Sequence, residues 1–225
     1  MHPSWQLVFH IRSFWQAGTG GGRGVWLDNL ARRDHNQLPI LPGRTVKGIV
    51  RDAVLRAEAW GHLAAGCTDW LFGTQSRPQQ ITRLATKPSI LGFGNASLPA
   101  DISSWLAKQD QSEHRASLFR ELHSTAVNTT LPPDISTHPT NDTGTQSDKD
   151  AKNRSLRGIE VVIPITLYAP ITVLATPDES GTSMAGNRPE WSVCIRTALP
   201  LIRAIGSHRS RGLGRVSVTL EEAHP

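Results

Sequence analysis

Apolar residues recur at every second position in three stretches of the chain, residues 5–12, 159–173 and 216–220. This period predicts β-strands that each bury one face. The positions concerned are Trp5, Leu7, Phe9 and Ile11; Ile159, Val161, Ile163, Ile165 and Leu167; and Val216, Val218 and Leu220.

Two other stretches carry apolar residues at the spacing of an α-helix. The first extends from about residue 46 to residue 57, and Thr45 is its predicted N-cap. The second is predicted from Trp191 to Ile205, with a kink or a new start at Pro200 and a stop at Gly206. Both helices have an apolar face that a sheet can cover.

Shorter elements complete the pattern: a buried turn at 71–73, a strand within 88–98 and a helix at 115–122. The order strand, helix, strands, helix, strand predicts an α+β fold, a ferredoxin-like antiparallel sheet with helices on one face. Residues 128–154 and 176–189 are polar, and the first of these stretches is too poor in large apolar residues to bury a core. We expect one domain over residues 1–225, with a long insertion or mobile loop at 128–154.

Composition narrows the class of protein. The 225 residues include 24 Lys and Arg against 19 Asp and Glu, a net charge of +5 that permits a polyanionic partner. Two cysteines exclude a disulfide scaffold and a four-cysteine zinc site. No apolar run reaches the ~18 residues that a membrane span needs, and no signal peptide is visible, so we expect a cytoplasmic protein without a membrane partner.

Basic residues share one face of the first predicted helix, and others stand among glycines near the C-terminus. Cationic side chains beside a backbone that permits close approach are what a phosphate site requires. The alternative is a solvated helix face and a charged surface loop, with no ligand. The residues are Lys47 and Arg51 on the helix, and Arg209, Arg211 and Arg215 with Gly206, Gly212 and Gly214 in the loop.

Other chemistry is poorly supported by the sequence. The glycine run at 18–24 lacks the GxGxxG spacing of a dinucleotide site, and no P-loop is present. The nine histidines form no HxxxH pair, so no metal site built on histidine is predicted. Cys67 and Cys194 are interpreted as buried apolar residues and not as nucleophiles.

Four segments, in order along the chain, resemble motifs of the RAMP superfamily. Within that superfamily the chain is similar to the repeated backbone subunit of type III CRISPR effector complexes, which binds CRISPR RNA. The segments are Leu41–Arg51, which resembles IPGSSLKGxxR; Leu71-Phe72-Gly73; Ser155–Glu160, which resembles the segment leading out of the thumb hairpin; and Gly206–Val216, which resembles the glycine-rich loop.

The resemblance implies an RRM-like fold with a thumb hairpin at about residues 124–158. It also implies four kinds of partner: CRISPR RNA, target RNA, other effector subunits and further copies of the chain. The RNA-binding positions that it carries over are Arg44, Lys47, Arg51, Arg157, Gly206, Arg209, Arg211, Gly212 and Gly214.

Cleavage of target RNA at regular intervals is a further implication of the resemblance. The family places a catalytic Asp between the first strand and the IPG segment, and Asp28 fits that position. Asp28 would hold a divalent metal, expected to be Mg²⁺, together with an RNA phosphate. Asp34 fits the second, non-catalytic acidic position.

Three alternatives for this loop stay open. In the first, Asp28 only caps a turn. In the second, the chain is a guide-binding scaffold without catalysis. In the third, the chain is a guide-processing endoribonuclease of the same superfamily, for which His35 is the available histidine.

Overall fold

Five α-helices and six strands appear in the computed structural model, which describes residues 4–22, 27–74, 87–125, 156–174 and 190–223. The strands are β1 (Trp5–Ile11), β2 (Leu91–Phe93), β3 (Phe119–Thr125), β4 (Leu156–Val162), β5 (Thr166–Val173) and β6 (Val216–Glu222). The helices are α1 (Gly43–Ala59), α2 (Cys67–Phe72), α3 (Ala100–Leu106), α4 (Ser112–Ser117) and α5 (Trp191–Ala198). Short 3₁₀ turns cover Gln109–Gln111, Leu199–Leu201 and Arg209–Arg211.

Four strands form the main sheet in the order β2-β5-β1-β6, and every neighbouring pair is antiparallel. β1 lies inside the sheet, where Leu7 is opposite both Ala169 and Leu220. The sequence β1-α1-β2-β5-α5-β6 with this strand order is the ferredoxin-like arrangement. The predicted α+β fold is therefore confirmed. β3 and β4 form a separate antiparallel hairpin, inserted between β2 and β5.

The core forms where the two predicted helical faces meet the main sheet. Leu7 and Phe9 of β1 are fully buried in the same cluster as Val46 and Val50 of α1. Burying a side chain of this size stabilises the fold by about 1.5–3 kcal/mol. From α5, Ile195 joins this cluster. The alternation in β1 and the helical spacing in α1 thus predicted the core correctly.

The beginning of α1 differs from the prediction. Pro42, and not Thr45, occupies the N-cap, and the helix begins at Gly43. The side chain of Asn95 accepts the Gly43 N–H at 2.8 Å, which satisfies one of the donors that a helix start leaves free. Because this acceptor comes from a distant part of the chain, the local sequence around Thr45 could not reveal it.

The apolar alternation at 159–173 belongs to two strands in different sheets, and not to one. Pro164, which has no N–H, lies between β4 and β5, where the chain changes partners. The N–H of Ile163 donates to Leu118 O at 3.0 Å, beside the hairpin, whereas Ile165 O accepts the Ile11 N–H at 3.1 Å, beside the main sheet. The predicted helix at 115–122 was also partly wrong, since β3 begins at Phe119.

The C-terminal helix is shorter than predicted. α5 ends at Ala198, and Pro200 lies in the 3₁₀ turn that follows, as the predicted kink required. Ile202 is extended, with ψ 96°, yet Ile202 and Ile205 are both buried. The buried apolar positions were therefore predicted correctly. The prediction that the helix ends at Gly206 was wrong, because α5 ends at Ala198.

Several predicted features fall outside the described residues, or mostly so. The polar segments 128–154 and 176–189 lie there, as does the centre of the predicted thumb. The two strands that flank residues 126–155 pair with each other, with Thr125 opposite Leu156. Within the described ranges, the structure contains no helix that is long and apolar enough to cross a bilayer.

Glu58 near the end of α1 provides the N-terminal cap of α2. Its carboxylate accepts the N–H of Gly66 at 2.7 Å, the N–H of Thr68 at 2.9 Å and the Thr68 hydroxyl at 2.6 Å. Burial raises the pKa of Glu58, but the hydrogen bonds from Thr68 and Gly66 outweigh it and leave the pKa below its ordinary value. The charged form is therefore the one that stabilises the fold.

We expect Glu58→Gln to lower the stability at pH 7 by about 1–2 kcal/mol, because bonds to a charged acceptor are lost. Since the pKa is depressed in the folded state, this stabilisation is present above the ordinary value of 4.5 and disappears as the pH falls through the folded pKa. Thermal unfolding from pH 7 to pH 3 measures the effect, with the exposed Glu222→Gln as control. A difference from wild type that stays constant over this range would contradict the explanation.

Candidate functional site

The glycine loop, residues 206–214, is held against the segment that follows β1. The N–H of Ser207 donates to Gln16 O at 2.8 Å, and the N–H of Gly214 donates to Phe14 O at 2.7 Å. Gly206 and Gly214 have positive φ, +77° and +72°. A Cβ at Gly206 would overlap the Gln16 carbonyl, and one at Gly214 would overlap that of Ile205. These two glycines are therefore required by contacts within the protein.

Gly212 differs from the other two glycines of the loop. Its φ is also positive, +86°, but a Cβ there would have no atom within 4 Å. It ends the 3₁₀ turn Arg209–Arg211, which begins after His208, itself at φ 57°. The backbone at Gly212 is thus open on its outer side, so a ligand can approach it.

Four arginines surround the glycine loop. Arg209 and Arg211 are exposed in the 3₁₀ turn, and Arg215 is exposed directly after the glycine loop. Arg12 joins them, because its N–H donates to Arg215 O at 2.7 Å. None of the four forms an ion pair with another described residue. Sequence reasoning missed Arg12, which stands alone after β1, and only the β1–β6 pairing could have revealed it.

The predicted basic residues of α1 lie in its first half. Arg44 is exposed, and Lys47 and Arg51 are half-buried on the same side of the helix. Partial burial, and to a smaller extent the charge of Arg51, lowers the pKa of Lys47. These three cations have no acidic partner among the described residues, as an anion site requires.

No hydrogen bond or ion pair joins the two basic clusters within the described part of the chain. α1 begins beside β2, where Gly43 packs against the Phe93 carbonyl, whereas the glycine loop adjoins β1 and β6. β2 and β6 are the opposite edges of the sheet, about 14 Å apart at the usual strand spacing. A ligand that contacted both clusters would have to be an extended one.

The Asp28 segment, residues 27–33, is bonded to the base of the β3–β4 hairpin. The Asp28 N–H donates to Gly158 O at 2.8 Å, and Asn29 O accepts the Glu160 N–H at 2.9 Å. Arg157, a predicted RNA-binding position, immediately precedes Gly158 in β4. The structure thus brings the backbones of Asp28 and Arg157 next to each other.

The other side of the Asp28 segment pairs with the glycine run. Gly18 bridges to Ala31, and the Leu30 N–H donates to Gly21 O at 3.1 Å. The sequence indicated a flexible loop here, but residues 18–22 form a paired arm. Residues 23–26, which contain the rest of the run, are outside the described ranges.

Asp28 and Asp34 have different surroundings. Asp34 Oδ1 accepts the N–H of Asn36 at 2.8 Å and that of Leu38 at 2.9 Å, so Asp34 is the residue that caps a turn. His35 is exposed in that turn. The Asp28 carboxylate is exposed and makes no hydrogen bond to the described residues. Among the described residues, therefore, Asp34 caps a turn and Asp28 does not.

Gln16 joins the glycine loop to the Asp28 segment. It is fully buried; its carbonyl accepts the Ser207 N–H, and its side-chain Nε2 donates to Asn29 O at 3.1 Å. Two predicted sites, far apart in sequence, are therefore fixed to one residue. Sequence reasoning missed Gln16, although a polar residue between Trp15 and Ala17, in an apolar stretch, was an available signal.

The described residues of the Asp28 region offer a divalent cation a single protein ligand. Among the described residues, no group of three His, Cys, Asp or Glu side chains could hold a metal ion. Mg²⁺ commonly uses one or two carboxylates together with substrate phosphates and water. The exposed Asp28 carboxylate fits that arrangement as a single protein ligand.

The two cysteines lie in the core. Cys67 and Cys194 are both buried, and a hydrogen bond with the Cys67 thiol lowers the pKa of Cys194. Their burial agrees with the interpretation as core residues.

The fold was compared with known proteins. A chain of type III-B Cmr-beta, a CRISPR complex, bound to cognate target RNA matches 99% of this chain with TM-score 0.55 and 16% identity. This chain spans 61% of that chain's length. A chain from the apo state of type III-B Cmr-beta matches with TM-score 0.54 and 10% identity over 96% of each chain. No protein-family model and no curated protein sequence matches.

These matches confirm, at the level of the fold, the resemblance that the sequence motifs indicated. The chain has a ferredoxin-like fold similar to that of the matched chains of type III-B Cmr-beta. Identities of 16% and 10% show a shared fold and nothing finer.

Two of the loop glycines, Gly212 and Gly214, are expected to respond differently to alanine. Gly214→Ala should lower stability by more than the ~1–2 kcal/mol of a left-handed conformation, because its Cβ also overlaps the Ile205 carbonyl. Gly212→Ala should cost only that conformational part, since its Cβ is in open space. Thermal unfolding of both variants measures this; equal losses would show that contacts with Ile205 do not constrain the loop.

Proposed function

We propose that this chain is a CRISPR RNA-binding backbone subunit of a type III CRISPR effector complex, which assembles with other subunits and with copies of itself. We further propose that it cleaves target RNA, with Asp28 as the catalytic residue. The observation that carries the proposal is the junction at Gln16. It joins the glycine loop, whose arginines have no acidic partner among the described residues, to the segment that holds the exposed Asp28 carboxylate. The likeness in fold to chains of type III-B Cmr-beta supports it.

Guide binding is assigned to the two basic clusters. Arg209 and Arg211 would contact phosphates while the open backbone at Gly212 allows the RNA to approach. Lys47 and Arg51 would contact other phosphates, since the clusters adjoin opposite edges of the sheet. An extended single strand fits this spacing, because its phosphates repeat along a line.

Cleavage is assigned to the Asp28 segment. A divalent cation shared by Asp28 and an RNA phosphate would stabilise the negative charge that develops on the phosphate and the leaving oxygen. The hydrogen bond from the Asp28 N–H to Gly158 O fixes the Asp28 backbone beside the hairpin, where the target would lie. The neighbouring 2′-hydroxyl of the target would attack, which would restrict cleavage to RNA.

Guide binding predicts a defined salt dependence. Lys47→Ala and Arg51→Ala should each weaken RNA binding evenly across sequences and reduce the salt slope by roughly one unit or less. Titrations at several salt concentrations measure this, with the exposed Lys108→Ala, outside both basic clusters and the hairpin, as a control for charge alone. RNA extracted from the purified protein identifies the guide. Unchanged affinity at all salt concentrations would show that this helix face is only solvated.

If Asp28 is the catalytic residue, replacing Asp28 should remove cleavage activity, whereas replacing Asp34 should not. Asp28→Asn should leave guide and target binding within a few-fold of wild type, since it removes a charge that repels phosphate. Cleavage should fall by orders of magnitude, because electrostatic stabilisation of a transition state is usually a large contribution. A gel of labelled target RNA with an assembled, guide-loaded complex measures both, with and without a chelator.

Asp34→Asn is the matched control, because it makes the same chemical change and keeps the oxygen that caps the turn. It should leave cleavage mostly intact. Fragments from the Asp28→Asn complex at the wild-type rate and spacing would refute the catalytic assignment and support the scaffold without catalysis.

A further inference from the structure

Glu160 is a buried carboxylate at the base of the hairpin. It lies in β4 and has 9% of its surface exposed, within the apolar run Ile159-Glu160-Val161-Val162. Burying a carboxylate costs free energy unless it is paired and hydrogen-bonded. A carboxylate in this position therefore has partners that fix its geometry.

Outside the hairpin, the hydrogen-bond partners of Glu160 among the described residues all belong to the Asp28 segment. Its Oε2 accepts the Ala31 N–H at 3.0 Å, and its Oε1 accepts a bond from Arg33 at 2.6 Å. Its own N–H donates to Asn29 O at 2.9 Å. One residue thus binds alternate positions 29, 31 and 33, directly after Asp28.

Arg33 is itself held on the hairpin. Its guanidinium lies 3.8 Å from the ring centroid of Phe119 in β3, while its side chain is 32% exposed and that of Glu160 is 12% exposed. The cation is therefore attracted both by the carboxylate and by the aromatic face. The pair ties the Asp28 segment to β3 as well as β4.

We propose that Glu160 is the positioning residue of the Asp28 site: it fixes the Asp28 segment to the hairpin, without contacting RNA. This inference rests on the proposed function where cleavage is concerned. Asp28 keeps one bond of its own to the hairpin, from its N–H to Gly158 O, whereas the hydrogen bonds that join Asn29, Ala31 and Arg33 to the hairpin all involve Glu160. Misplacement by about 1 Å can cost a reaction about a hundredfold in rate.

Glu160→Gln tests the proposal, because it keeps the size and one oxygen acceptor but removes the charge opposite Arg33. The matched control is Glu121→Gln, since Glu121 is the cross-strand partner of Glu160 in the hairpin and is exposed. The first measurement is amide hydrogen exchange of residues 27–33 in the full chain. The second is single-turnover cleavage by the guide-loaded complex, alongside target affinity.

In Glu160→Gln, exchange at Ala31 should rise by roughly tenfold or more, because its acceptor is weakened and a charged bond is lost. Cleavage should fall by a similar factor while target affinity stays within twofold. Glu121→Gln should change neither quantity by more than twofold. If Glu160→Gln does not fold, Arg33→Gln removes the same pair from the more exposed side and should also raise exchange in residues 27–33, though less at Ala31, whose acceptor stays a carboxylate.

Unchanged exchange of residues 27–33 in the folded variants would overturn the proposal, whatever happens to cleavage. Loss of target affinity in parallel with cleavage would also overturn it, since a positioning residue acts on rate. If Asp28→Asn still cleaves normally, the proposed cleavage fails, while the exchange measurement still decides whether Glu160 fixes the segment.

Discussion

The backbone of residues 13–16, directly after β1, is the constraint on which the candidate site depends. On one side it bonds the glycine loop, through Phe14 O and Gln16 O. On the other it bonds the hairpin, where Trp15 and Val162 exchange two backbone hydrogen bonds, at 3.0 and 2.7 Å. Because Trp15 and Gln16 are fully buried, leaving these groups unpaired would cost the full desolvation of each. Irregular segments are thus placed as firmly as strands.

The glycines of the site are constrained in two different ways. Gly206 and Gly214 meet protein carbonyls, so packing alone explains them. A Cβ added at Gly212 would have no atom within 4 Å, although the positive φ of Gly212 disfavours a side chain. The sequence grouped all three as positions of close approach to RNA. The structure separates those whose replacement would disturb the fold from the one that an extended ligand could contact.

Periodicity predicted the parts of the fold that are decided locally. The alternation at Leu7 and Phe9 and the spacing of Val46 and Val50 report directly which face is buried, so the sheet and α1 were predicted. Boundaries decided by distant partners were not: Asn95 supplies the acceptor at the start of α1. Likewise, the change from the hairpin to the main sheet at Pro164 cannot be seen in an alternation that continues through it.

For the site, sequence motifs identified segments but not their arrangement. They gave the Asp28 segment and the glycine loop as separate features, whereas the structure connects the two through Gln16, which no motif contains. The arginines illustrate the electrostatic consequence. Arg33 has a buried carboxylate and an aromatic ring as partners, whereas Arg209 and Arg211 have no acidic partner among the described residues. A cation already paired gains little from a phosphate, while an unpaired one gains a full charge-assisted bond. Arg33 therefore belongs to the framework of the site, whereas the glycine-loop arginines are the ones that the proposed RNA-binding surface would use.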